Sequence, residues 1–397
     1  MMFKGMNRQV ALLASAQALI QTVSVMVMTI GGLVGSQLAP SPSLATAPIA
    51  GMFLGTAITM FPASIWMSRV GREKGFRTGA GVGLLGALLA TSGVYHASFL
   101  QLCLGTVLVG VYQGFAQFYR FAASEAVTAA FRTKAISLVM AGGIVAAVAG
   151  PLMARLGSDL LAIPYLGSFV LLVLATLIAV IILFALNMPQ SGITVASDEP
   201  SRSWRIVVSQ PTYLIALYAA ASGFGLMALA MTATPLAMTH HAHPLATISS
   251  IIQLHVLAMY LPSFVTGRLI ERFGAIRIML AGVVLFACHF AVALSGTGAV
   301  QFASALIFVG LGWNFLYIGG TSLVTSTVTA SEKGIALGIN DMTIFIFTLA
   351  SSLSAGMLVN TLGWHTLNLL LIPWAVSIAM ALLWLACRRG LRMEAVG

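Results

Sequence analysis

Two helical turns of soft side chains carry the clearest chemistry in this sequence. Met227 and Met231 are four residues apart in MALAM, and His255 and Met259 have the same spacing in HVLAM. On a helix, residues i and i+4 lie on one face, one above the other. Thioether sulfur and imidazole nitrogen are ligands that suit Cu(I). The two turns therefore predict a copper site, if both lie at one depth of the protein.

The composition places these turns in a membrane. Of the 397 residues, 59% are hydrophobic and 7% are charged, and the mean hydropathy is +1.01. Apolar runs repeatedly exceed about 18 residues, the length that crosses a bilayer. No small-residue cleavage site follows the first run, so we expect a retained span rather than a signal peptide. Cys103, Cys288 and Cys387 are far apart and predict no disulfide framework or zinc site, and their roles stay open.

Short polar breaks divide the chain into twelve predicted spans of an all-α polytopic membrane protein. Nearly all of the 19 Lys and Arg fall on one side of these spans, with Arg120 and Arg155 as exceptions. Basic residues concentrate in cytoplasmic loops, so both termini are expected in the cytoplasm, and the net charge of +10 needs no nucleic acid as partner. The predicted spans are 10–35, 47–68, 78–95, 99–125, 134–157, 164–187, 211–238, 246–268, 276–295, 299–326, 334–360 and 364–387.

The two halves of the chain resemble each other. Gly71, after the second span, matches Gly274, after the eighth, at an offset of 203 residues. LVGVYQGF in the fourth span matches FVGLGWNF in the tenth at an offset of 200. The longest polar stretch separates the halves. We therefore predict an N-terminal six-helix bundle at 1–190, a cytoplasmic linker at 191–210 and a C-terminal six-helix bundle at 211–397.

This plan resembles the major facilitator superfamily, in which two pseudo-symmetric six-helix bundles surround a central cavity. The loop SIWMSRVGREKGFR is similar to the superfamily's motif between spans two and three, although Ser64 and Ser68 stand where Gly and Asp are usual. The second half keeps Gly267 and an acid in the corresponding loop. The resemblance implies a conformational role for five loop residues, namely Arg69, Gly71, Arg72, Glu271 and Arg272.

Within that superfamily the chain resembles the CcoA-like copper importers (CalT group), whose mark is MxxxM on span seven and HxxxM on span eight. Met227, Met231, His255 and Met259 match those motifs. The resemblance implies secondary active import of copper, as Cu(I), across the bacterial inner membrane by alternating access, for haem-copper oxidase assembly. It also implies a monomer in the lipid bilayer with no bound cofactor, which hands copper to a cytoplasmic or membrane acceptor.

Other residues extend the predicted copper path. The internal repeat relates Met231 and His255 to Met28 and Met52, which we treat as candidate ligands from the first half, with coincidence as the alternative. At the outer mouth, THHAHP predicts either a capture site or an exposed polar turn. Its candidate ligands are Met238, His240, His241 and His243.

Three charged residues inside predicted spans are candidates for coupling or gating. Asp341 has no basic neighbour in sequence, and a buried carboxylate of this kind favours either proton coupling or a structural hydrogen bond. Arg120 and Glu125 lie at the inner end of span four, where pairing with each other or across the halves predicts a structural gate.

Two other functions stay open. The same fold could move a small organic molecule such as riboflavin or a drug, because members of the wider group that lack the Met and His motifs are associated with riboflavin. Aromatic residues suited to such a cargo are Phe115, Tyr119, Trp313 and Phe315. A membrane chaperone or sensor is less favoured, since no loop exceeds about 20 residues. The sequence contains no nucleotide-binding motif or HExxH, so we predict that the protein is not an enzyme.

Overall fold

The computed structural model describes residues 8–128, 131–188, 202–329 and 332–394, without the side chains at 133, 333–334 and 389–394. All regular structure within these ranges is helical. Residues 191–201 of the predicted linker lie outside them, so the predicted boundaries at 190 and 210 stay a prediction.

Long apolar helices make up almost all of the described chain. Their bounds are α1 Arg8–Leu38, α2 Ala47–Val70, α3 Arg72–Tyr95, α4 Phe99–Ala116, α5 Tyr119–Glu125, α6 Arg132–Met140, α7 Gly142–Ser158, α8 Leu166–Phe184, α9 Trp204–Val208, α10 Pro211–His240, α11 Leu245–Tyr260, α12 Ser263–Phe273, α13 Ala275–Ser295, α14 Ala299–Thr325 and α15 Lys333–Glu394.

The predicted polytopic helical fold is confirmed. Within the described ranges, 11 helical stretches are long and apolar enough to cross a membrane. The last of them, Ile335–Arg388, is 54 residues long and contains the non-helical Gly363, with φ 74° and ψ 170°. Gly363 separates the predicted spans 334–360 and 364–387, so the eleven stretches account for twelve spans.

The helices form two compact units. The first unit comprises residues within Met1–Ile193 together with His243–Val256, and the second comprises residues within Thr194–Ala242 and Leu257–Gly397. Helix α11 therefore contributes its first part to one unit and its last turn to the other.

Glycine allows the helices of the first unit to approach closely. A Cβ atom on Gly110 of α4 would lie 2.0 Å from the carbonyl oxygen of Met52 on α2. On the same pair of helices, a Cβ on Gly55 would lie 2.0 Å from the Val107 carbonyl oxygen. Membrane helices gain little from hydrophobic burial against each other, so this close contact of backbones is a main source of their association.

The repeat between the halves extends to backbone conformation. Gly71 ends α2 with φ 91° and ψ 153°, and Gly274 ends α12 with φ 84° and ψ 148°. Residues other than glycine rarely adopt this backbone conformation, in which φ is positive. The two glycines that the sequence comparison paired therefore turn the chain in the same way.

Ion pairs join residues near helix ends in each unit. Arg72 donates to both carboxylate oxygens of Glu125, at 2.6 and 2.7 Å. Glu125 is the last residue of α5 and of the membrane-length stretch Phe99–Glu125, at the inner end of predicted span four, and its side chain is 40% exposed. In the second unit, Arg202 donates to both oxygens of Glu332, each at 2.7 Å.

The Glu332 carboxylate is 2% exposed, while the Arg202 side chain is 42% exposed. The hydrogen bonds from Arg202 hold the pKa of Glu332 well below its ordinary range, and the Thr329 backbone N–H acts in the same direction. The same hydrogen bonds raise the pKa of Arg202. These hydrogen bonds connect the segment before α9 to the loop before α15.

Gly110→Ala tests the close approach of α2 and α4. The new methyl group would collide with the Met52 carbonyl oxygen, and such overpacking costs about 1–3 kcal/mol. We expect a lower midpoint of thermal unfolding for the purified protein in detergent. Gly81→Ala on α3 is the control, because nothing lies within 4 Å of its added Cβ. Equal midpoints for the two variants would contradict the packing.

Glu332→Gln tests the ion pair with Arg202. A carboxylate with a lowered folded-state pKa stabilises the fold above its ordinary pKa of about 4.3, and this contribution is lost as the pH falls toward the lowered value. We expect a reduced thermal midpoint at neutral pH. The gap to the wild type should stay constant down to about pH 5 and narrow below about pH 4.

Glu271→Gln, at an exposed acid, is the matched control for Glu332→Gln. A gap that is absent at neutral pH, or that widens in acid, would show that the Arg202 pair does not stabilise the fold.

Candidate substrate site

Aromatic rings from four membrane segments meet inside the second unit. We call Phe224, Tyr260, Trp313, Tyr317 and Phe345 the aromatic cluster. Trp313 and Tyr317, one turn apart on α14, stack with centroids 5.1 Å apart and planes 8° from parallel. Phe224 of α10 meets both edge-on, at 5.3 and 5.7 Å. Tyr260 lies 6.0 Å from Trp313, and Phe345 of α15 lies 6.3 Å from Phe224.

The aromatic cluster lies near the middle of the segments that form it. Phe224 is close to the midpoint of α10, which has 30 residues, and Trp313 is close to the midpoint of α14, which has 27. Tyr260 is midway along the 29-residue stretch Leu245–Phe273. Secondary transporters hold their substrates near the middle of the bilayer. The cluster therefore lies at the depth that a substrate site requires.

Small residues on α10 make room for the rings. Ala220 and Ala221 are fully buried, and Phe224 and Tyr317 pack against them together with Ile344. A Cβ on Gly223 would lie 2.8 Å from the Leu316 side chain, and one on Gly320 would lie 2.8 Å from Ala220. The sequence ALYAAASGFG thus lets α14 come close to α10 and brings Trp313 and Tyr317 against Phe224.

The aromatic cluster combines accessible rings with one buried donor. Phe224, Tyr260 and Tyr317 are half-buried, whereas Trp313 is 5% exposed. Among the described residues, none accepts a hydrogen bond from the buried indole Nε1 of Trp313. Flat rings pack against such side chains face to face or edge to face, and a buried indole N–H usually has an acceptor. Aromatic rings beside a buried donor are the features that a binding site for a planar ligand with an acceptor at its edge would need.

The predicted copper ligands are divided between the two units. Met227 and Met231 lie one turn apart on α10, each 1% exposed, and Met259 on α11 is 6% exposed. These three residues belong to the second unit, while the buried His255 belongs to the first. Met28 and Met52 are also buried, and the Met52 carbonyl lies in the tight contact with Gly110.

The predicted outer capture residues differ in their surroundings. Met238 is fully buried at the end of α10, whereas His240, His241 and His243 are exposed or half-buried. His241 lies 6.4 Å from the Phe302 ring. Among the described residues, no group of three or more His, Cys, Asp or Glu side chains is placed to hold a metal ion. The three histidines therefore gain no support as a three-ligand site.

The charged candidates have protein partners. Asn340 donates to Asp341 Oδ1 at 3.0 Å, near the start of α15. The Arg120 guanidinium lies over the Phe121 ring at 4.9 Å. Of the loop residues, Arg72 binds Glu125, the Arg272 guanidinium lies over Phe273 at 5.2 Å, and Arg69 and Glu271 are exposed. A coupling role for Asp341 stays a prediction.

Only one of the four aromatic residues predicted for an organic cargo joins the aromatic cluster. Trp313 is its centre, but Phe315 on the same helix packs against Gly282 of α13. Phe115 packs against Gly79, and Tyr119 meets Phe76 edge-on at 4.7 Å, both in the first unit.

Sequence reasoning missed Phe224, Tyr260, Tyr317 and Phe345. The four-residue spacing of Trp313 and Tyr317 could have indicated one aromatic face of α14, in the same way that it indicated the methionine pair.

Comparisons with known proteins agree with this architecture. A family model described as Major Facilitator Superfamily matches residues 13–259 and 219–394. The riboflavin transporter RfnT of Brucella anthropi is 38% identical over 393 residues, which cover 98% of each chain. A crystal structure of a D-xylose–proton symporter gives a TM-score of 0.74 at 12% identity, covering 95% of this chain and 96% of that one. A variant of the nucleoside transporter NupG gives 0.73 at 15% identity, covering 95% and 99%.

The prediction of copper import is wrong. A relative that is 38% identical along nearly the whole chain is a riboflavin transporter, which supports the alternative of a small organic cargo. Methionine is flexible and fills irregular gaps between helices, so a methionine pair at helical spacing is not by itself a metal site.

The family match covers more than half of the chain, and the fold agrees with the solved transporters along almost its full length. This chain is a membrane transporter rather than an enzyme, and it belongs to the Major Facilitator Superfamily.

Proposed function

We propose that this protein transports a small planar aromatic molecule of the riboflavin type, and that the aromatic cluster is where the ring system binds. The observation that carries the proposal is the group of Phe224, Trp313 and Tyr317 at mid-depth of the second unit. The 38% identity to a riboflavin transporter supports the same substrate class.

The chemistry of a flavin matches what the aromatic cluster offers. Its three fused rings are flat, and carbonyl oxygens and ring nitrogens along one edge accept hydrogen bonds. Stacking on aromatic side chains contributes about 0.5–1.5 kcal/mol per pair beyond burial. The Trp313 N–H supplies a donor, which would give one ring-edge acceptor a partner. Few polar groups in a mostly apolar site are enough to orient a ligand.

We place the protein in the bacterial inner membrane with both termini in the cytoplasm, on the strength of the positive-inside distribution. Transport proceeds by alternating access, with the halves rocking about the bound substrate. Spin labels on the protein's cytoplasmic loops check this orientation. Their reduction by an impermeant reagent is compared between inverted and intact vesicles. Protection in the intact vesicles and reduction in the inverted vesicles is the expected result.

Riboflavin uptake is the direct test of the proposed function. In a bacterial strain that requires riboflavin and has no importer of its own, we expect this protein to restore growth at low riboflavin and to give saturable uptake of labelled riboflavin. Uptake no greater than in cells with an empty vector would contradict the proposal.

Trp313→Leu tests the aromatic cluster. Loss of the stacking ring and of the N–H should raise the KM for riboflavin by about tenfold, which corresponds to about 1.4 kcal/mol. Trp313→Phe keeps a ring without the donor and should give a smaller increase. Phe315→Leu is the matched control, since Phe315 lies on α14 but packs against α13. Equal KM changes in Trp313→Leu and Phe315→Leu would contradict a role for the cluster.

The double variant Met227→Leu, Met231→Leu tests whether the methionine pair serves packing. Leucine conserves most of the volume of methionine, so each exchange should cost less than about 1.5 kcal/mol. We expect riboflavin uptake close to that of the wild type and equal cellular copper in both, measured by mass spectrometry. Lower copper in the double variant than in the wild type, at equal protein abundance, would contradict a packing role.

A further inference from the structure

Span eight is interrupted near its middle. Helix α11 ends at Tyr260 and α12 begins at Ser263, with Leu261 and Pro262 between them. Proline has no N–H, and its ring conflicts with the carbonyl four residues earlier, so the helical ladder weakens at Pro262. Hydrocarbon offers no water to satisfy the freed backbone groups. The interruption therefore needs polar partners from another helix.

Asn314 of α14 supplies those partners. Its Nδ2 donates to the Met259 carbonyl oxygen and to Ser263 Oγ, each at 2.7 Å. Its Oδ1 accepts a hydrogen bond from the Thr266 hydroxyl at 2.6 Å. Asn314 and Thr266 are both fully buried. Both amide hydrogens and the amide oxygen are thus used, with contacts on both sides of the interruption.

The first half of the chain contains the same pair of helices without the amide. Gly114 on α4 stands 200 residues before Asn314, and Pro62 on α2 lies three residues beyond the position that the 203-residue offset of spans two and eight assigns to Pro262. Helix α2 nevertheless runs unbroken through Pro62, from Ala47 to Val70. A Cβ on Gly114 would lie 3.2 Å from the carbonyl oxygen of Thr56, which is the counterpart of Met259 at that offset. The first half thus has glycine at the position of Asn314, and its span two continues past its own proline as one helix.

The bonded atoms lie next to two rings of the aromatic cluster. Asn314 directly follows Trp313, and Met259 directly precedes Tyr260. The rings of Tyr260 and Trp313 meet edge to face at 6.0 Å. The hydrogen bond between Asn314 and the Met259 carbonyl therefore joins the two chain segments immediately beside this ring contact.

We infer that Asn314 is a positioning residue that maintains the interruption of span eight and thereby holds Tyr260 against Trp313 in the substrate site. The hydrogen bonds of Asn314 and the comparison with the first half support its effect on the interruption. Its effect on substrate binding rests on the proposed function. Loss of the amide would loosen one wall of the aromatic cluster. Affinity for substrate would then fall more than the maximal rate.

The first measurement detects the interruption of span eight as a distance between two spin labels, in the absence of substrate. Spin labels are placed at Ser250→Cys and Glu271→Cys, both exposed sites, in protein whose three native cysteines are replaced by serine. In Asn314→Leu we expect the distance between the labels to broaden and to move toward about 31 Å, the length of an uninterrupted helix between these positions. In Asn368→Leu the distance should equal that of the unsubstituted protein.

Asn368 is a suitable control because it is also a fully buried asparagine of the second unit. Its Nδ2 donates to the Trp364 carbonyl at 2.8 Å, and its Oδ1 lies 3.0 Å from His289 Nε2, so it makes no contact that the inference uses.

The second measurement reads the effect on the site. Asn314→Leu should raise the KM for riboflavin by about tenfold, with a smaller change in maximal rate. If Asn314 acts through Tyr260, the double variant Asn314→Leu, Tyr260→Ala should have the KM of Tyr260→Ala alone. Additive effects of the two substitutions on KM would overturn the positioning role.

A milder variant covers the case in which Asn314→Leu does not fold. Ser263→Ala removes one of the two bonds to Nδ2 and should shift the label distance and the KM in the same direction by less.

An unchanged label distance in the Asn314 or Ser263 variant overturns the inference, whatever molecule the wild type transports. A changed distance in the Asn314 variant, together with a wild type that moves no riboflavin, refutes the proposed substrate and leaves the role of Asn314 in the interruption standing.

Discussion

Backbone polar groups inside a bilayer have to find partners within the protein, and this constraint governs the whole structure. Continuous helices meet it by themselves, which is why regular structure in the described chain is entirely helical. At the interruption near Pro262, span eight cannot satisfy all of its backbone polar groups by itself. There the Asn314 side chain takes over, with bonds of 2.6–2.7 Å to Met259, Ser263 and Thr266.

The candidate site depends on this interruption and on the small residues of α10. Ala220 and Gly223 of α10 let α14 approach, so that Phe224 meets the stacked pair of Trp313 and Tyr317. Asn314 then fastens the end of α11 beside Trp313. The outcome is an apolar, ring-lined site with one buried donor, which suits a flat heterocycle better than an ion.

Much of the fold could be predicted because it follows from local properties of the sequence. Apolar runs give the spans, and the pairing of Gly71 with Gly274 anticipates two turns with nearly equal φ and ψ. The interruption between spans eleven and twelve was expected near Gly363, where φ is positive. Each of these features is determined within one segment of chain.

The site was harder to predict, since helical spacing identifies a face and not what that face meets. Met227 and Met231 share a face of α10 as expected, yet the same four-residue spacing is equally typical of methionines packed between helices. Trp313 was named as a candidate, but its partners Phe224 and Tyr260 lie on other helices, far away in sequence. The contact of Asn314 with Met259 joins residues 55 positions apart, and no local sequence pattern predicts it.

Equilibrium binding of riboflavin to the purified protein in lipid nanodiscs tests the central claim most directly, with quenching of flavin fluorescence as the signal. Stacking on indole and phenol rings predicts saturable quenching by the wild type and strongly weakened quenching by Trp313→Leu. Absence of quenching in the wild type, or equal quenching by Trp313→Leu and the wild type, would contradict the aromatic cluster as the substrate site.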